Sequence, residues 1–386
     1  MDTAVSMLSR LVAFPTVSRD SNLELIDFVE DHLSGFGARC RRTWNEDRTK
    51  ANLFAAIGPD APGGVVLSGH TDVVPVDGQD WHSDPFELTE RDGLLYGRGS
   101  SDMKGFSAVF LARLAALDPS ALQKPLYLAL SYDEEVGCLG IDRMVDDALA
   151  HFARPDYAII GEPTTMRVVR AHKSINVFRT VVTGRAAHSS QPHRGAGAIL
   201  AAARIIEHLR RIGEERRGAA VESGCEPPWT TVQVGTIKGG TAVNILPGHC
   251  EFLWEYRGLP NEDPQQIIEA MQRFIDEEVI PDLREFAPDA DVQTLPIARV
   301  PPLIPDPQAR AERFVRRLSG VRDGGSGEVS FATEAGTFQR AGISSVVCGP
   351  GSIDQAHQPN EFIDPAELVR CEAMVDDVFA YLCRSS

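Results

Sequence analysis

The sequence of 386 residues predicts an α/β fold in which a buried, mostly parallel sheet is interrupted by a smaller inserted α+β domain. Three observations predict it. Short apolar runs bounded by turn residues alternate with helical patterns near both ends of the chain, as in a sheet covered on both faces. The middle of the chain follows a different order, β-α-β-β-α-β, which makes a compact two-layer unit by itself. After the proline-rich stretch VPPLIPDP at 300–307 the first pattern returns.

Taken in order, residues 4–14 and 23–36 carry apolar side chains at helical spacing, and 51–57 and 65–68 read as strands. Residues 104–117 mix small and apolar residues as a buried helix does. PLYLALSY at 125–132 and YAII at 157–160 are short apolar runs that read as buried strands. In the middle, 174–184 is extended and 196–212 helical. Then 230–237 and 250–257 are extended, 264–279 is helical and 292–300 is extended again. The last part holds a helix at 310–318, a strand at 344–348 and a terminal helix at 365–382. The expected organisation is a first domain split between 1–172 and 303–386, with an insertion at 173–302.

Composition narrows the partners. The formal net charge is -17, which argues against the basic footprint that nucleic acid requires and gives no support for docking to anionic lipid. The seven cysteines show no CxxC pair, so neither a disulfide framework nor a thiolate metal site is expected. No apolar run approaches the roughly 20 residues of a spanning helix. The first residues lack the basic and apolar regions of a secretory leader. The expectation is a soluble, cytoplasmic protein acting on a small molecule, with neither nucleic acid nor membrane as partner.

The informative polar residues follow predicted strands. GHTD (Gly69 to Asp72), DEE (Asp133 to Glu135), GEP (Gly161 to Pro163) and GPGSIDQAH (Gly349 to His357) each come directly after one. Open α/β sheets bind ligands beyond the carboxyl ends of their strands. Asp102, in RGSSDMKG just before a helix, can reach the same rim. Two imidazoles and three carboxylates make a nitrogen and oxygen donor set that suits zinc or a similar divalent ion. Carboxylates crowded without a cation repel one another, and two metals sharing one carboxylate remove that difficulty while acidifying a bridging water. Glu134 and Glu135 are neighbours whose side chains point in different directions, so one can ligate while the other takes a proton. Asp72, two residues after His70, is placed to accept the other ring N–H of His70. Each fragment alone also has an ordinary reading: a satisfied polar histidine, a solvated acidic pair, a glycine-rich turn that caps a helix. Only their joint occurrence after strands points to a metal centre.

The ordered set HTDVVPV (His70 to Val76), GRGSSDMKG (Gly97 to Gly105), DEEVGCLG (Asp133 to Gly140), GEPT (Gly161 to Thr164) and AHQPNEF (Ala356 to Phe362) resembles the co-catalytic zinc aminoacylase and carboxypeptidase family. That family contains acetylornithine deacetylase, succinyl-diaminopimelate desuccinylase and carboxypeptidase G. The resemblance implies a zinc-hydrolase catalytic domain with a ferredoxin-like lid that also makes a homodimer. It implies two divalent ions, zinc or cobalt, with His70 and Glu162 on one, Glu135 and His357 on the other, and Asp102 between them. It further implies a cis peptide at Asp102-Met103, Glu134 as general base and Asp72 supporting His70. His188, in GRAAHSS, matches a lid histidine that steadies the oxyanion in a partner's site; its plain alternative is a surface loop histidine. Asn244 and Arg257 match lid positions that hold substrate, Arg257 by pairing with a carboxylate.

Shorter stretches bear on the substrate. RAHKS (Arg170 to Ser174), with Lys173, ATEAGTF (Ala332 to Phe338) and VVCGPGSIDQAHQPNEF (Val346 to Phe362) resemble the deacetylase branch. They imply hydrolysis of N2-acetyl-L-ornithine to L-ornithine and acetate, a step of arginine biosynthesis. Glu334 then either selects the cationic side chain or is a structural acid satisfied by backbone. Another N-acyl amino acid hydrolase of the family, or a binding protein on the same fold, remains the alternative. Such a binding protein would be expected to lose Glu134 or a ligand, and all are present.

Overall fold

The structure is a computed structural model that describes residues 3–220, 222–325 and 327–384. The strands of its two main sheets are β1 (Arg39–Trp44), β2 (Ala51–Ile57), β3 (Val65–His70), β4 (Leu126–Ser131), β5 (Tyr157–Ile160), β6 (Ile175–Thr183), β7 (Thr231–Gly239), β8 (His249–Arg257), β9 (Asp291–Val300) and β10 (Ser344–Val347). The chain divides into two compact units. One holds the residues up to Ala171, Leu303–Glu328 and those from Thr333 onward; the other holds His172–Pro302 with Val329–Ala332. The return of Val329–Ala332 to the second unit is a detail that no composition shift in the sequence marks.

The first unit is built on a six-stranded sheet in the order β1-β2-β4-β3-β5-β10. Pairings β4–β3, β3–β5 and β5–β10 are parallel, while β1–β2 and β2–β4 are antiparallel. Strands β2, β3, β4 and β10 are buried at every position, which explains their continuous apolar runs. Helices Ala4–Val12, Leu23–Ser34, Lys104–Arg113 and Pro365–Leu382 share one core with the sheet. The expected helix at 104–117 is α-helical only to Arg113 and tightens to a 3-10 turn at Leu114–Ala116.

Sequence reading misses β1 and the helix Ile141–His151. Strand β1 (RCRRTW) is a charged, partly exposed edge, the form in which edge strands avoid unwanted pairing, and it hides the alternation that marks a strand. The helix Ile141–His151 buries Ile141, Met144, Val145 and Ala148 at helical spacing.

The second unit is a four-stranded antiparallel sheet, ordered β7-β8-β6-β9. Its strands alternate: Phe178, Val182, Cys250, Phe252, Trp254 and Tyr256 are buried and share a core with the helix Ala198–Gly218. The rings of Phe178 and Trp254 stack at 4.7 Å. The helix expected at 264–279 runs as Gln265–Phe274, widens to a π turn at Ile275–Val279 and continues as Ile280–Phe286. Pro281 falls in the first turn of that last segment, directly after the π turn.

Candidate metal centre

The parallel strands β4, β3, β5 and β10 are neighbours, so their carboxyl ends lie on one edge of the sheet. His70 is the last residue of β3, and Glu162 follows β5 by two residues. Glu134 and Glu135 come shortly after β4, and His357 sits in the loop after β10. Tight approach of the backbones shapes this edge. A Cβ added at Gly161 would meet the Phe106 ring at 2.0 Å, and one at Gly349 would meet the Gly161 carbonyl oxygen at 2.0 Å. These two glycines of GEP and GPG let the ends of β5 and β10 close on the central helix.

Two donor groups result. His70, Asp102 and Glu162 present ligand atoms within 4.8 Å of one another, and so do Asp102, Glu135 and His357. Asp102 belongs to both and divides its oxygens between them. Its Oδ1 lies 3.1 Å from His70 Nε2, and its Oδ2 lies 3.3 Å from His357 Nε2. Glu162 Oε1 lies 3.9 Å from His70 Nε2, and Glu135 Oε2 lies 2.9 Å from His357 Nε2. The peptide Asp102-Met103 is cis. The His357 ring is 53% exposed while His70 is buried, so the centre opens to solvent on the His357 side.

The electrostatics describe a cluster suited to cations. Burial, then the charges of Glu134 and Asp102, pushes the Glu162 carboxyl well above its ordinary range. Burial and the charge of Asp102 push Glu135 up to about 7. Burial raises Glu134 strongly as well. Burial would raise Asp102 too, yet hydrogen bonds from His357 and His70 hold it below the usual carboxylate range. The His357 ring is raised to about 10 by its hydrogen bonds to Asp102 and Glu135. Glu162 Oε1 is buried with no hydrogen-bond partner. An orphaned buried carboxylate oxygen in a cluster of carboxylates and imidazoles is the arrangement that a divalent ion satisfies. The donor set fits such ions.

Supporting contacts differ from expectation in one respect. The Nδ1–H of His70 donates to the backbone carbonyl of Asp72 at 2.9 Å, and the Asp72 carboxylate stays 3.8 Å away. That carboxylate is engaged elsewhere: it accepts from Ser18 Oγ (2.7 Å) and from the backbone N–H groups of Glu134 (3.1 Å) and Glu135 (3.2 Å). Asp72 therefore orients His70 through its carbonyl and fixes the Glu134–Glu135 turn through its side chain. A carbonyl can only accept, so Nδ1 keeps its proton and Nε2, which meets Asp102 Oδ1 at 3.1 Å, is the nitrogen that can ligate once it gives its proton up to a metal.

Sequence reasoning missed the anchor of Asp102. Glu361 is buried and accepts four bonds: from Arg98 Nη1 (2.7 Å) and from the backbone N–H groups of Gly99 (3.0 Å), Ser101 (2.8 Å) and Asp102 (2.9 Å). Both charged partners stand inside quoted motifs, Arg98 in GRGSSDMKG and Glu361 in AHQPNEF, and two opposite charges among glycines and serines were the available signal. The thiol of Cys138 also lies 3.4 Å from Glu134 Oε1.

The remaining expected residues fall into two groups. Glu334 belongs to the first unit, is buried, and keeps Oε1 without a hydrogen-bond partner; burial pushes its carboxyl up to about 7. In the second unit, His188 is exposed in a short pairing with Ile245, its Nδ1 accepting from the Ser190 backbone N–H (3.2 Å) and the Ser190 hydroxyl (2.8 Å). The Asn244 carbonyl accepts from the Ser189 N–H at 3.0 Å, so Asn244 and His188 are neighbours. Arg257 is paired with Glu255 at 3.0 Å. Lys173, expected to contact substrate, is engaged inside its own unit. It is 1% exposed, and its ammonium donates to the carbonyls of Pro227 and Trp229, both at 2.7 Å. A buried ammonium needs such acceptors, and these hold it as a brace of its own unit.

Parallel strands that deliver two imidazoles and three carboxylates to one rim, with one aspartate common to both donor groups, define a metal-dependent hydrolase. The chain belongs to peptidase family M20/M25/M40, whose model matches residues 66–380. It is 37% identical to an acetylornithine deacetylase of Myxococcus xanthus, over 97% of this chain and 96% of that protein. Among solved structures, the aminopeptidase PepT of Bacillus cereus has the same fold, with a TM-score of 0.74 at 18% identity, over 99% of this chain and 98% of that one. So does the YXEP protein of Bacillus subtilis, a dinuclear metal binding peptidase of the M20 family, with a TM-score of 0.66 at 16% identity, over 98% and 97% of the two chains.

Proposed function

We propose that this protein hydrolyses N2-acetyl-L-ornithine to L-ornithine and acetate, in arginine biosynthesis. The observation that carries the reading is the 37% identity to an acetylornithine deacetylase over nearly the full length of both chains. The complete donor set of the metal centre agrees with it.

In this reading His70, Asp102 and Glu162 hold one divalent ion, and Asp102, Glu135 and His357 hold the other. The ions, zinc with cobalt as a substitute, supply Lewis acidity and acidify water when bound. Glu134 stands outside both donor groups, and its backbone is fixed by Asp72. It takes a proton from the attacking water and returns it to the ornithine nitrogen as the carbon–nitrogen bond breaks. Asp72 holds the Nδ1 proton of His70 through its carbonyl, so that Nε2 is the nitrogen that would ligate. His188 steadies the oxyanion, reaching the centre of a partner copy in a homodimer formed through the second unit. Asn244 and Arg257 contact the substrate, Arg257 exchanging Glu255 for the substrate carboxylate. Glu334, buried with an unpartnered oxygen, favours a cationic side chain.

A cytoplasmic location fits seven cysteines that are all free. Among the described residues, no helix is long and apolar enough to cross a membrane.

A panel of acetylornithine, succinyl-diaminopimelate, N-acetylmethionine and simple dipeptides, assayed with zinc- or cobalt-loaded protein, tests the reading. Acetylornithine is expected to give the highest kcat/KM. A higher value for the succinylated substrate or a dipeptide overturns the substrate assignment and leaves the family intact.

A further inference from the structure

A second concave surface lies away from the metal rim. It is a cleft of about 560 Å³ in the first unit, lined by Tyr157, Phe314, Tyr381 and Asp377 together with Arg310, Arg313, Arg317 and Arg384. Two helical faces and one strand end build it. Arg310, Arg313, Phe314 and Arg317 follow i, i+3, i+4, i+7 spacing along the helix Arg310–Val315 and the turn after it. Asp377, Tyr381 and Arg384 repeat the spacing i, i+4, i+7 at the end of the helix Pro365–Leu382. Tyr157 is the first residue of β5. The metal rim is at the other end of that strand, roughly 16 Å away at about 3.3 Å per residue.

The charge of this cleft runs against that of the chain. The protein has 55 acidic and 38 basic residues, and about half of the arginines of this unit end on a carboxylate, as Arg41 does on Asp147, Arg113 on Asp376 and Arg340 on Asp142. Among the described residues, Arg313, Arg317 and Arg384 make no ion pair, although an acidic chain offers many partners. Arg310 is partly spent on Asp306 at 3.4 Å. The acid in the lining, Asp377, accepts the backbone N–H of Ser319 at 2.6 Å. Three aromatic rings line the same cleft, and the Lys124 ammonium lies 5.0 Å over that of Tyr381. Tyr157 and Phe314 stack at 4.8 Å with 10° between their planes, and Tyr381 lies 4.7 Å from Phe314.

We propose that this cleft binds a small organic anion carrying two or more negative charges, as phosphate or carboxylate groups, next to a flat ring. The guanidinium forks match the geometry of both anionic groups, and their planes, beside the outer edges of the stacked rings, offer contacts for a flat ring. The volume lies within the range of small-molecule sites. Unpaired arginines crowded on an acidic protein repel one another, and an anion removes that repulsion.

Calorimetric titration of the metal-loaded full chain with 5′-AMP tests the proposal, with adenosine supplying the ring alone and sulfate the charge alone. AMP is expected to bind with one-to-one stoichiometry, and adenosine and sulfate at least about tenfold more weakly. The double variant Arg313→Ala/Arg317→Ala is expected to weaken AMP by about tenfold or more, as two charged hydrogen-bonding groups are lost. Its melting temperature and deacetylation rate should stay at the parent's values, since both residues are exposed. Arg384→Ala provides an independent variant near the end of the chain. No heat of binding at millimolar AMP, or AMP affinity untouched by both variants, overturns the proposal. Sulfate or adenosine binding as tightly as AMP overturns the pairing of ring and charge in one ligand.

Discussion

The two units hold their functional residues in opposite ways. In the first unit β2, β3, β4 and β10 are buried at every position, and the side chains at their ends emerge from a framework closed on both faces. In the second, β6 and β8 alternate between buried and exposed positions, so the sheet covers one core and leaves its other face open. The consequence is visible residue by residue. Asp102 is held by a loop that Glu361 grips through three backbone N–H groups and Arg98. His188 is held by a neighbouring serine, and Arg257 by a carboxylate two positions away. A rim fixed by the core is suited to metal geometry, which tolerates little displacement; locally held side chains are suited to contacts that exchange partners when substrate arrives.

The largest effect is expected at the rim. Glu134→Gln should lower kcat by about 10²- to 10⁴-fold, with metal content unchanged. Near-normal turnover would remove Glu134 from the proton transfer. For the second unit, His188→Ala should cost about 10²-fold in kcat with little change in metal affinity. Loss of bound metal in that variant would contradict the division between the units.

Below these comes the anchor. Glu361→Gln leaves Arg98 and the loop N–H groups with a poorer acceptor, and metal affinity should fall by about 10- to 100-fold in a competition titration. An unchanged affinity would show that the cradle around Asp102 does not depend on this charge. Lys173→Met strands two carbonyls in the second unit. It should lower stability to urea by about 1–3 kcal/mol while zinc stoichiometry is retained.

The smallest effect is a pH slope. Glu334 and Glu135 are both raised to about 7 by burial, against ordinary values near 4.5. Between those values the folded protein holds more protons than the unfolded chain, so stability falls as pH rises through that window. Thermal melts of metal-free protein should decline from pH 5 to 8. Zinc should flatten the parts due to the ligands Glu135, Glu162 and His357, and Glu334→Gln should remove the part due to Glu334. A metal-free protein that gains stability over the same window would invert the assignment.

Much of the centre was legible because chemistry at strand ends is local. His70 ends, and Glu135, Glu162 and His357 come after, short apolar runs that read as buried strands, and glycines near them mark close backbone approach. The charged edge strand β1 was not legible, since its burial is partial throughout and its sequence RCRRTW carries no apolar alternation. The partners of Lys173 were not legible for a related reason. A motif identifies a residue type but not what lies opposite it, and the acceptors of this ammonium come from Pro227 and Trp229, more than fifty positions along the chain.

The sequence by itself determined the alternating elements, the insertion and the donor types that make a divalent metal centre, because periodicity and ligand chemistry reside in neighbouring residues. Only the tertiary structure decided that β4, β3, β5 and β10 are adjacent and parallel, so that their ends meet, and that Asp102 turns one oxygen toward each histidine. It also decided that Asp72 orients His70 through its carbonyl, that Glu361 holds the Asp102 loop, and that unpaired arginines gather around a stacked pair of rings. Each of these depends on residues far apart in the chain, and their distances are set by core packing, which no local pattern encodes.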